Sequence, residues 1–168
     1  MSLPSANSFT GDPNAHDVSK FKDGMTGTCL CGNITVTIND PDLFTKPRGH
    51  LCHCANCRKV AGSYVSSSLL IDRSAVDIQD PNGALKTFND WNTGSGKKVA
   101  RSFCGTCGSP IMSEPDALPN RRVVKLGMFP RIPQPEMENF AAHKQPWQGN
   151  HDGLVQFATV LGGKKLGE

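Results

Sequence analysis

The sequence has no long hydrophobic run, little net charge and no basic arm. No stretch of the 168 residues approaches the roughly 18 apolar residues that a membrane-spanning helix needs, so we expect no membrane partner. The first residues show neither the basic start nor the apolar core of a signal peptide, which favours a cytoplasmic location. The net charge is +3 and the basic residues are scattered in short groups, so the chain is not expected to bind nucleic acid.

The chain also lacks the cysteine content of a disulfide framework. Seven cysteines are few, and an odd number leaves one thiol unpaired. In a reducing compartment, clustered cysteines bind metal more often than they pair with each other. The length suits one domain, and residues 1–22 are polar without periodicity. We therefore predict a polar N-terminal tail over residues 1–22 and one metal-binding domain over residues 23–168. Composition does not indicate an oligomeric state.

The regular patterning that is present predicts a mostly β fold. Residues 34–38 alternate isoleucine and valine with threonine, which is typical of a half-buried strand. Residues 55–62 favour a short helix that ends at Gly62. The three prolines of residues 130–139 predict a loop that cannot lie within a sheet. Further strands are predicted at residues 64–71, 97–103 and 121–129.

Four of the cysteines form two pairs that are far apart in the sequence. Cys29 and Cys31 are two residues apart, so on a strand they point to the same side. Cys104 and Cys107 form a C-x-x-C-G turn, which can present two sulfurs to one tetrahedral metal. Joining the pairs gives a site of four cysteine sulfurs, the usual arrangement of a structural zinc. The alternative is that all four are small buried hydrophobic residues, which this spacing disfavours.

The other three cysteines, Cys52, Cys54 and Cys57, lie within six residues. Three protein ligands with a vacant fourth position describe a catalytic zinc, which can bind a thiolate or a water or polarise a carbonyl. The alternative is a closed structural site that His50 or His53 completes. His53 lies between two ligand cysteines and is expected to turn away from their metal, whereas His50 fits better. Spacing alone leaves both alternatives open.

Three motifs occur in order along the chain: 27-GTCLCG-32, 52-CHCANCRKVAGS-63 and 103-FCGTCGS-109. Together they resemble the pattern of the glutathione-dependent formaldehyde-activating enzyme (GFA) family, which also includes centromere protein V. The resemblance implies an Mss4-like fold, in which small, bent antiparallel sheets are organised around a structural zinc. It also implies the division of the cysteines that the spacing suggests, with four structural ligands and three catalytic ones.

The resemblance further implies a carbon–sulfur lyase that acts on a glutathione–carbonyl adduct such as S-hydroxymethylglutathione. Two zinc ions per chain, glutathione as co-substrate and a small-molecule partner are then expected. A zinc held by three thiolates is a weak Lewis acid but suits a soft ligand such as the substrate sulfur. One alternative is a family member that acts on a different carbonyl or thioether metabolite. A second alternative is a non-catalytic, zinc-stabilised binding module, although the chain lacks the long basic extension that would favour it.

Residues that follow the central cysteines are candidates for substrate contact. Arg58 and Lys59 could attract the carboxylates of glutathione, and Ser63 could donate a hydrogen bond to a substrate oxygen. The alternatives are that the two basic side chains are solvated and that Ser63 only forms a turn after the helix.

Two further side chains are candidates for a proton carrier or a hydrogen-bond donor. These are Tyr64 and His53, although a structural hydrogen bond suits His53 better. Trp91 and Trp147 could line a pocket, but we predict that both pack in the core.

Overall fold

The computed structural model describes residues 11–167, in which β-strands outnumber helices. The strands are β1 (Met25–Thr28), β2 (Thr35–Ile38), β3 (His50–Cys52), β4 (Ser66–Asp72), β5 (Val76–Gln79), β6 (Leu85–Asp90), β7 (Val99–Cys104), β8 (Pro110–Pro115), β9 (Arg121–Lys125), β10 (Met137–Asn139) and β11 (Val155–Gln156). The α-helix is α1 (Ala55–Ala61), and short 3-10 helices span Pro13–Ala15, Val18–Phe21, Arg73–Ala75, Leu126–Met128 and Ala141–His143. The prediction of a mostly β fold is confirmed. In residues 11–167 no helix is both long and apolar enough to cross a bilayer.

The strands form two sheets. The smaller one is antiparallel, with three strands in the order β1-β2-β5. The larger one has eight strands in the order β11-β10-β3-β4-β9-β8-β7-β6. Strand β10 pairs in parallel with both of its neighbours, whereas the other pairs of this sheet are antiparallel. The expectation of only small antiparallel sheets is therefore wrong for the larger sheet, which is mixed.

Strand β10 also corrects the prediction that residues 130–139 form only a loop. All three prolines precede the strand, so the residues of β10 keep their backbone N–H groups. The carbonyl oxygen of Asn139 accepts a 3.1 Å hydrogen bond from the N–H of His53. The carbonyl oxygen of Glu138 accepts a 2.8 Å bond from the N–H of Phe157. These bonds fasten β10 between β3 and the last part of the chain.

One face of the larger sheet packs on the hydrophobic core, and the opposite face is more polar. Leu69, Val124 and Met112 are cross-strand partners on β4, β9 and β8, and all three are buried in the hydrophobic core. Val36 and Ile38 of the smaller sheet belong to the same core. Because side chains alternate along a strand, the neighbours of these residues face the opposite side. That opposite side carries the polar residues around one of the two cysteine groups.

Two other predictions differ in their limits from the structure. Strand β9 ends at Lys125 and continues as a 3-10 turn, so the strand predicted over residues 121–129 is too long. Part of the predicted polar tail is ordered against the domain. Nη1 of Arg131 donates to the carbonyl oxygens of Pro13 (3.1 Å) and His16 (2.8 Å). Residues 1–10 lie outside the described residues, and the boundary after residue 22 stays a prediction.

Candidate metal centres

Two loops bring four cysteines from distant parts of the chain together. The sulfurs of Cys29, Cys31, Cys104 and Cys107 all lie within 4.8 Å of one another. The Sγ atom of Cys31 is 3.6 Å from those of both Cys29 and Cys104. Four sulfurs at the usual zinc–sulfur distance in a tetrahedron are about 3.8 Å apart, so this spacing fits a single ion. The group could hold a metal, as the two sequence pairs predict.

The two loops fold back in a similar way, each through a glycine with positive φ. Gly32 and Gly108 both have φ of +76°, a conformation that glycine adopts without a steric cost. Each glycine N–H bonds back to the carbonyl of the first cysteine, at 2.9 Å from Gly32 to Cys29 and 2.8 Å from Gly108 to Cys104. Each turn therefore folds tightly enough to present two sulfurs on one side. Ser109 joins the loops, because its hydroxyl oxygen accepts a 3.1 Å bond from the backbone N–H at position 30.

The second group contains the sulfurs of Cys52, Cys54 and Cys57, which also lie within 4.8 Å of one another. Cys52 is the last residue of β3, and Cys54 is the N-cap of α1, where its sulfur accepts a 3.4 Å bond from the N–H of Cys57. Helix α1 ends as predicted at Gly62, which has a φ of +60°. The end of β3, the N-cap of α1 and the first turn of α1 thus bring their three sulfurs together. In residues 11–167, no histidine joins this group of sulfurs.

The two histidines of the central motif have other roles. His53 is fully buried, and its Nε2 atom lies 3.2 Å from Oε1 of Glu138. The structural hydrogen bond expected for His53 is therefore present. His50 lies on β3 opposite Ser68, and burial together with the charge of Lys125 lowers its pKa to about 4. His50 is thus neutral at pH 7, and its ring is outside the sulfur group.

Glu138 is the centre of a buried network behind the three-cysteine loop. Besides His53, its carboxylate contacts Nδ1 of His151 at 2.8 Å, Nε2 of Gln156 at 2.6 Å and Nζ of Lys144 at 2.7 Å. The pairing of β10 with β3 places Glu138 beside residue 51, one position before Cys52. A fully paired buried carboxylate of this kind fixes the backbone around it.

The three central thiols shift one another's pKa in opposite directions. Hydrogen bonds from Cys52 and Cys54, with the charges of Lys125 and Arg101, lower the pKa of Cys57 to about 2. Hydrogen bonds to Cys54 and Cys57 raise the pKa of Cys52 far above its ordinary value. Ionisation is therefore favoured at Cys57 and disfavoured at Cys52, and a divalent metal ion would allow all three thiols to become thiolates.

Helix α1 is tied to the far strands of the larger sheet. Nδ2 of Asn56 donates to Oδ2 of Asp90 at 2.9 Å and to the carbonyl oxygen of Asn92 at 2.7 Å. The same Oδ2 atom of Asp90 accepts a 2.8 Å bond from Nε of Arg101. These bonds hold the first turn of α1, and with it Cys54 and Cys57, in place over the sheet.

Comparison with known families shows what kind of protein carries these two groups. The family model described as glutathione-dependent formaldehyde-activating enzyme (GFA) matches residues 24–143, which include all seven cysteines. The chain belongs to this family. No curated protein sequence matches it. The crystal structure of a Rhodobacter sphaeroides protein matches with 19% identity and a TM-score of 0.48, covering 62% of this chain and 86% of that one.

Of the residues predicted to contact substrate in this GFA member, Arg58 and Lys59 lie in the middle of α1, and Ser63 follows its C-cap. Arg58 is half-buried, and its Nε atom is buried without a hydrogen-bond partner among the described residues. Lys59 is exposed. Ser63 is also exposed, and its N–H closes the helix by donating to the carbonyl of Arg58 at 3.2 Å. Ser63 thus has the geometry of a turn residue, and Arg58 keeps an unused donor.

The prediction that both tryptophans pack in the core is wrong. Trp91 is 72% exposed, and Nζ of Lys98 lies 5.9 Å from the centre of its ring. Trp147 is 68% exposed and meets Tyr64 edge to face, with ring centres 5.3 Å apart. Both tryptophans lie in irregular segments, Trp91 after a strand and Trp147 after a 3-10 helix. Such connecting segments run over the surface, so their side chains do not pack in the core.

Sequence reasoning missed several polar residues near the three-cysteine group. Lys125 is buried on β9, Ser113 is buried on β8 and Arg101 lies on β7. None belongs to a motif, and each is brought near by sheet pairing alone. The sequence of β9, RRVVK, does not alternate strictly, so it gave no clear signal that Lys125 lies on a polar face.

Proposed function

We propose that this GFA family member is a zinc-dependent carbon–sulfur lyase acting on an adduct between a thiol, glutathione, and a carbonyl compound, such as S-hydroxymethylglutathione. The observation that carries the proposal is the group formed by Cys52, Cys54 and Cys57. Its three sulfurs are within 4.8 Å of one another, and in residues 11–167 no histidine joins them. Zinc prefers four ligands, so three sulfurs leave one position for substrate.

The other group would hold a structural zinc. Its ligands would be Cys29, Cys31, Cys104 and Cys107, and a closed set of four sulfurs is the usual structural arrangement. Both loops that carry these ligands are attached to strands, so an ion here would join β1 to β7. We propose that the domain is organised around this zinc in an Mss4-like fold, with two zinc ions per chain.

Zinc at the three-cysteine site would acidify a bound thiol or polarise a bound oxygen. The condensation itself needs no other reagent. The thiol loses its proton, the sulfur electron pair forms the S–C bond, the carbonyl π pair moves to oxygen, and the oxygen ends protonated. Cleavage is the reverse. The protein also positions the site, because the Glu138–His53 contact and the Asn56–Asp90 bond hold the two sides of the cysteine loop.

Glutathione would be held through its carboxylates. Arg58 is the better candidate, since its unused Nε donor is one position after Cys57. Lys59 is exposed and would attract the anion through longer-range charge, while Ser63 would contact the substrate at the end of α1. We propose a cytoplasmic location, because all seven cysteines are free and a reducing compartment keeps them so.

The test is exchange spectroscopy on a mixture of ¹³C-formaldehyde and glutathione. Zinc-loaded protein is expected to speed the interconversion of free and glutathione-bound formaldehyde above the spontaneous rate, whereas the Cys54→Ser variant is not. If the protein accelerates the reaction of a different aldehyde or thioether but not that of formaldehyde, the other compound is the substrate. No acceleration with any thiol–carbonyl pair, by protein that holds two zinc ions, would contradict the enzyme proposal and favour a binding module.

A further inference from the structure

The polar face of the larger sheet runs from the cysteine group to β7. Cross-strand pairing places Cys52 opposite Ser66, and Ser68 opposite Lys125. Since Ser66 and Ser68 are two residues apart, these four side chains share one face. Nζ of Lys125 donates to Oγ of Ser68 at 3.3 Å, which fits this arrangement.

The same face continues onto β8. Ser113 pairs with residue 123, two positions before Lys125, so the hydroxyl and the ammonium are diagonal neighbours on one face. Diagonal neighbours in an antiparallel pair are about 7 to 8 Å apart. Arg101 pairs with Ser113 and completes the row. Lys125, Ser113 and Arg101 thus all lie on the same face as Cys52 and can all donate hydrogen bonds.

Two residues of this row, Lys125 and Ser113, are buried, and the contacts within residues 11–167 do not satisfy them fully. Lys125 is 5% exposed and Ser113 is 3% exposed. Oγ of Ser113 has no hydrogen-bond partner among the described residues. Native proteins rarely leave a buried hydroxyl unpaired, and such an atom marks a place where a group absent from the structure is expected.

Lys125 likewise lacks a partner for its charge among the described residues. In residues 11–167 no carboxylate forms an ion pair with it, and its contact through Nζ is the neutral hydroxyl of Ser68. Arg101, by contrast, is neutralised by Asp90 at 2.8 Å. A buried ammonium without a counter-charge is unfavourable, so Lys125 is suited to pair with an anion bound beside the cysteine group. Burial lowers the pKa of Lys125, and the nearby sulfurs of the central cysteine group act against that shift by favouring its charged form.

We propose that Lys125 and Ser113 form the oxygen-binding subsite of the three-cysteine centre. The Lys125 ammonium and the Ser113 hydroxyl donate hydrogen bonds to the oxygen of the carbonyl half of the adduct. That oxygen gains negative charge as the S–C bond forms from a thiolate, and loses it as the bond breaks. Because one of the two cations in the row is already paired, the subsite suits a single oxyanion. This inference rests on the proposed function and adds the residues that stabilise its charged oxygen.

The test compares Lys125→Met and Ser113→Ala with wild type and with Lys46→Met. Lys46 is an exposed lysine in the segment before β3, where it pairs with Asp42, and its replacement controls for loss of a positive charge. Three quantities are measured on each protein: zinc content, glutathione affinity by calorimetry, and kcat and KM for the thiol–formaldehyde reaction. Ser113→Ala removes an unpaired hydroxyl and is expected to fold normally, so it tests the subsite even if Lys125→Met does not fold.

Lys125→Met is expected to lower kcat about 10²- to 10³-fold, and Ser113→Ala about tenfold. Both are expected to keep two zinc ions and wild-type glutathione affinity, because the thiol half of the adduct does not touch them. Loss of zinc or of glutathione binding in either variant would overturn the subsite and show a structural role. Wild-type kcat in Ser113→Ala would also overturn it. A wild-type protein without activity contradicts the proposed function itself, whereas an active wild type with equally active variants contradicts the subsite alone.

Discussion

Oε1 of Glu138 lies 3.2 Å from Nε2 of His53, although 85 positions separate the two residues. The contact joins β10, a strand that sequence patterning did not predict, to the loop that carries Cys52 and Cys54. Without this contact, only the local backbone would fix the conformation of the central cysteine loop. We therefore regard Glu138 as the residue that holds the loop from behind.

Replacing Glu138 by Gln should destabilise the zinc-loaded domain by about 2 to 4 kcal/mol at pH 7. The substitution removes the charge that pairs with Lys144 and leaves buried donors with a weaker acceptor. Urea unfolding followed by circular dichroism measures the difference. Glu114→Gln is a matched control, because Glu114 also pairs with arginines but is one-quarter exposed, and its loss should cost less than about 1 kcal/mol.

The stability difference between wild type and Glu138→Gln should depend on pH. Burial alone raises the pKa of Glu138, but hydrogen bonds from Lys144, His151 and His53 outweigh it and hold the pKa below its usual 4.5. A lowered folded pKa means that the carboxylate contributes its full stability above pH 4.5, and that this contribution is lost as the pH falls through the folded value. Parallel unfolding curves for both proteins from about pH 7 to about pH 3 check this. A difference that grows on acidification would contradict the assignment.

Cys104→Ser and Cys54→Ser should have different consequences. Cys104 is fully buried in the four-cysteine group, and loss of a structural zinc ligand should prevent stable folding. Cys54→Ser should stay folded with one zinc ion and without lyase activity. Zinc analysis and circular dichroism on both variants make the comparison. Equal unfolding of the two would mean that both groups are structural.

Gly108→Ala should destabilise the protein by about 1 to 2 kcal/mol through backbone strain alone. A Cβ at Gly108 would meet no atom within 4 Å, but its φ of +76° is unfavourable for alanine. Gly127→Ala is the matched control, since a Cβ there is also in open space and its φ is not positive. The control should change the free energy of unfolding by less than about 0.5 kcal/mol. Equal effects would show that the turn does not need glycine.

Trp147→Ala should cost less than about 1 kcal/mol of stability, because the ring is 68% exposed. Leu69→Ala, at a side chain that is 0% exposed, should cost about 2 to 5 kcal/mol. Thermal unfolding of both variants measures the contrast. A large loss for Trp147→Ala would restore the core role that the sequence suggested and the structure does not show.

Local spacing was enough to predict both groups of cysteines and the short helix. The sulfur of Cys54 caps α1 and Gly62 ends it within nine residues, so short-range rules apply there. The mostly β character also followed from alternation over four or five residues. In each case, the residues that decide the structure are close together in the sequence.

The missed residues depend on contacts between distant segments. Ser68 and Lys125 are 57 positions apart and meet only through the register of β4 with β9. A register cannot be read from one strand, since several pairings satisfy the same alternation. The failure to predict β10 had a different origin. The three prolines made the whole of residues 130–139 look like a loop, but all of them precede the strand.

Zinc stoichiometry combined with X-ray absorption at the zinc edge, with and without glutathione, tests the central claim most directly. The account predicts two zinc ions per chain and about 3.5 protein sulfurs per zinc, because one group has four cysteines and the other has three. Adding glutathione should raise that average toward about 4 as a thiol takes the open position. Two zinc ions with a histidine nitrogen signal and no response to glutathione would contradict the account.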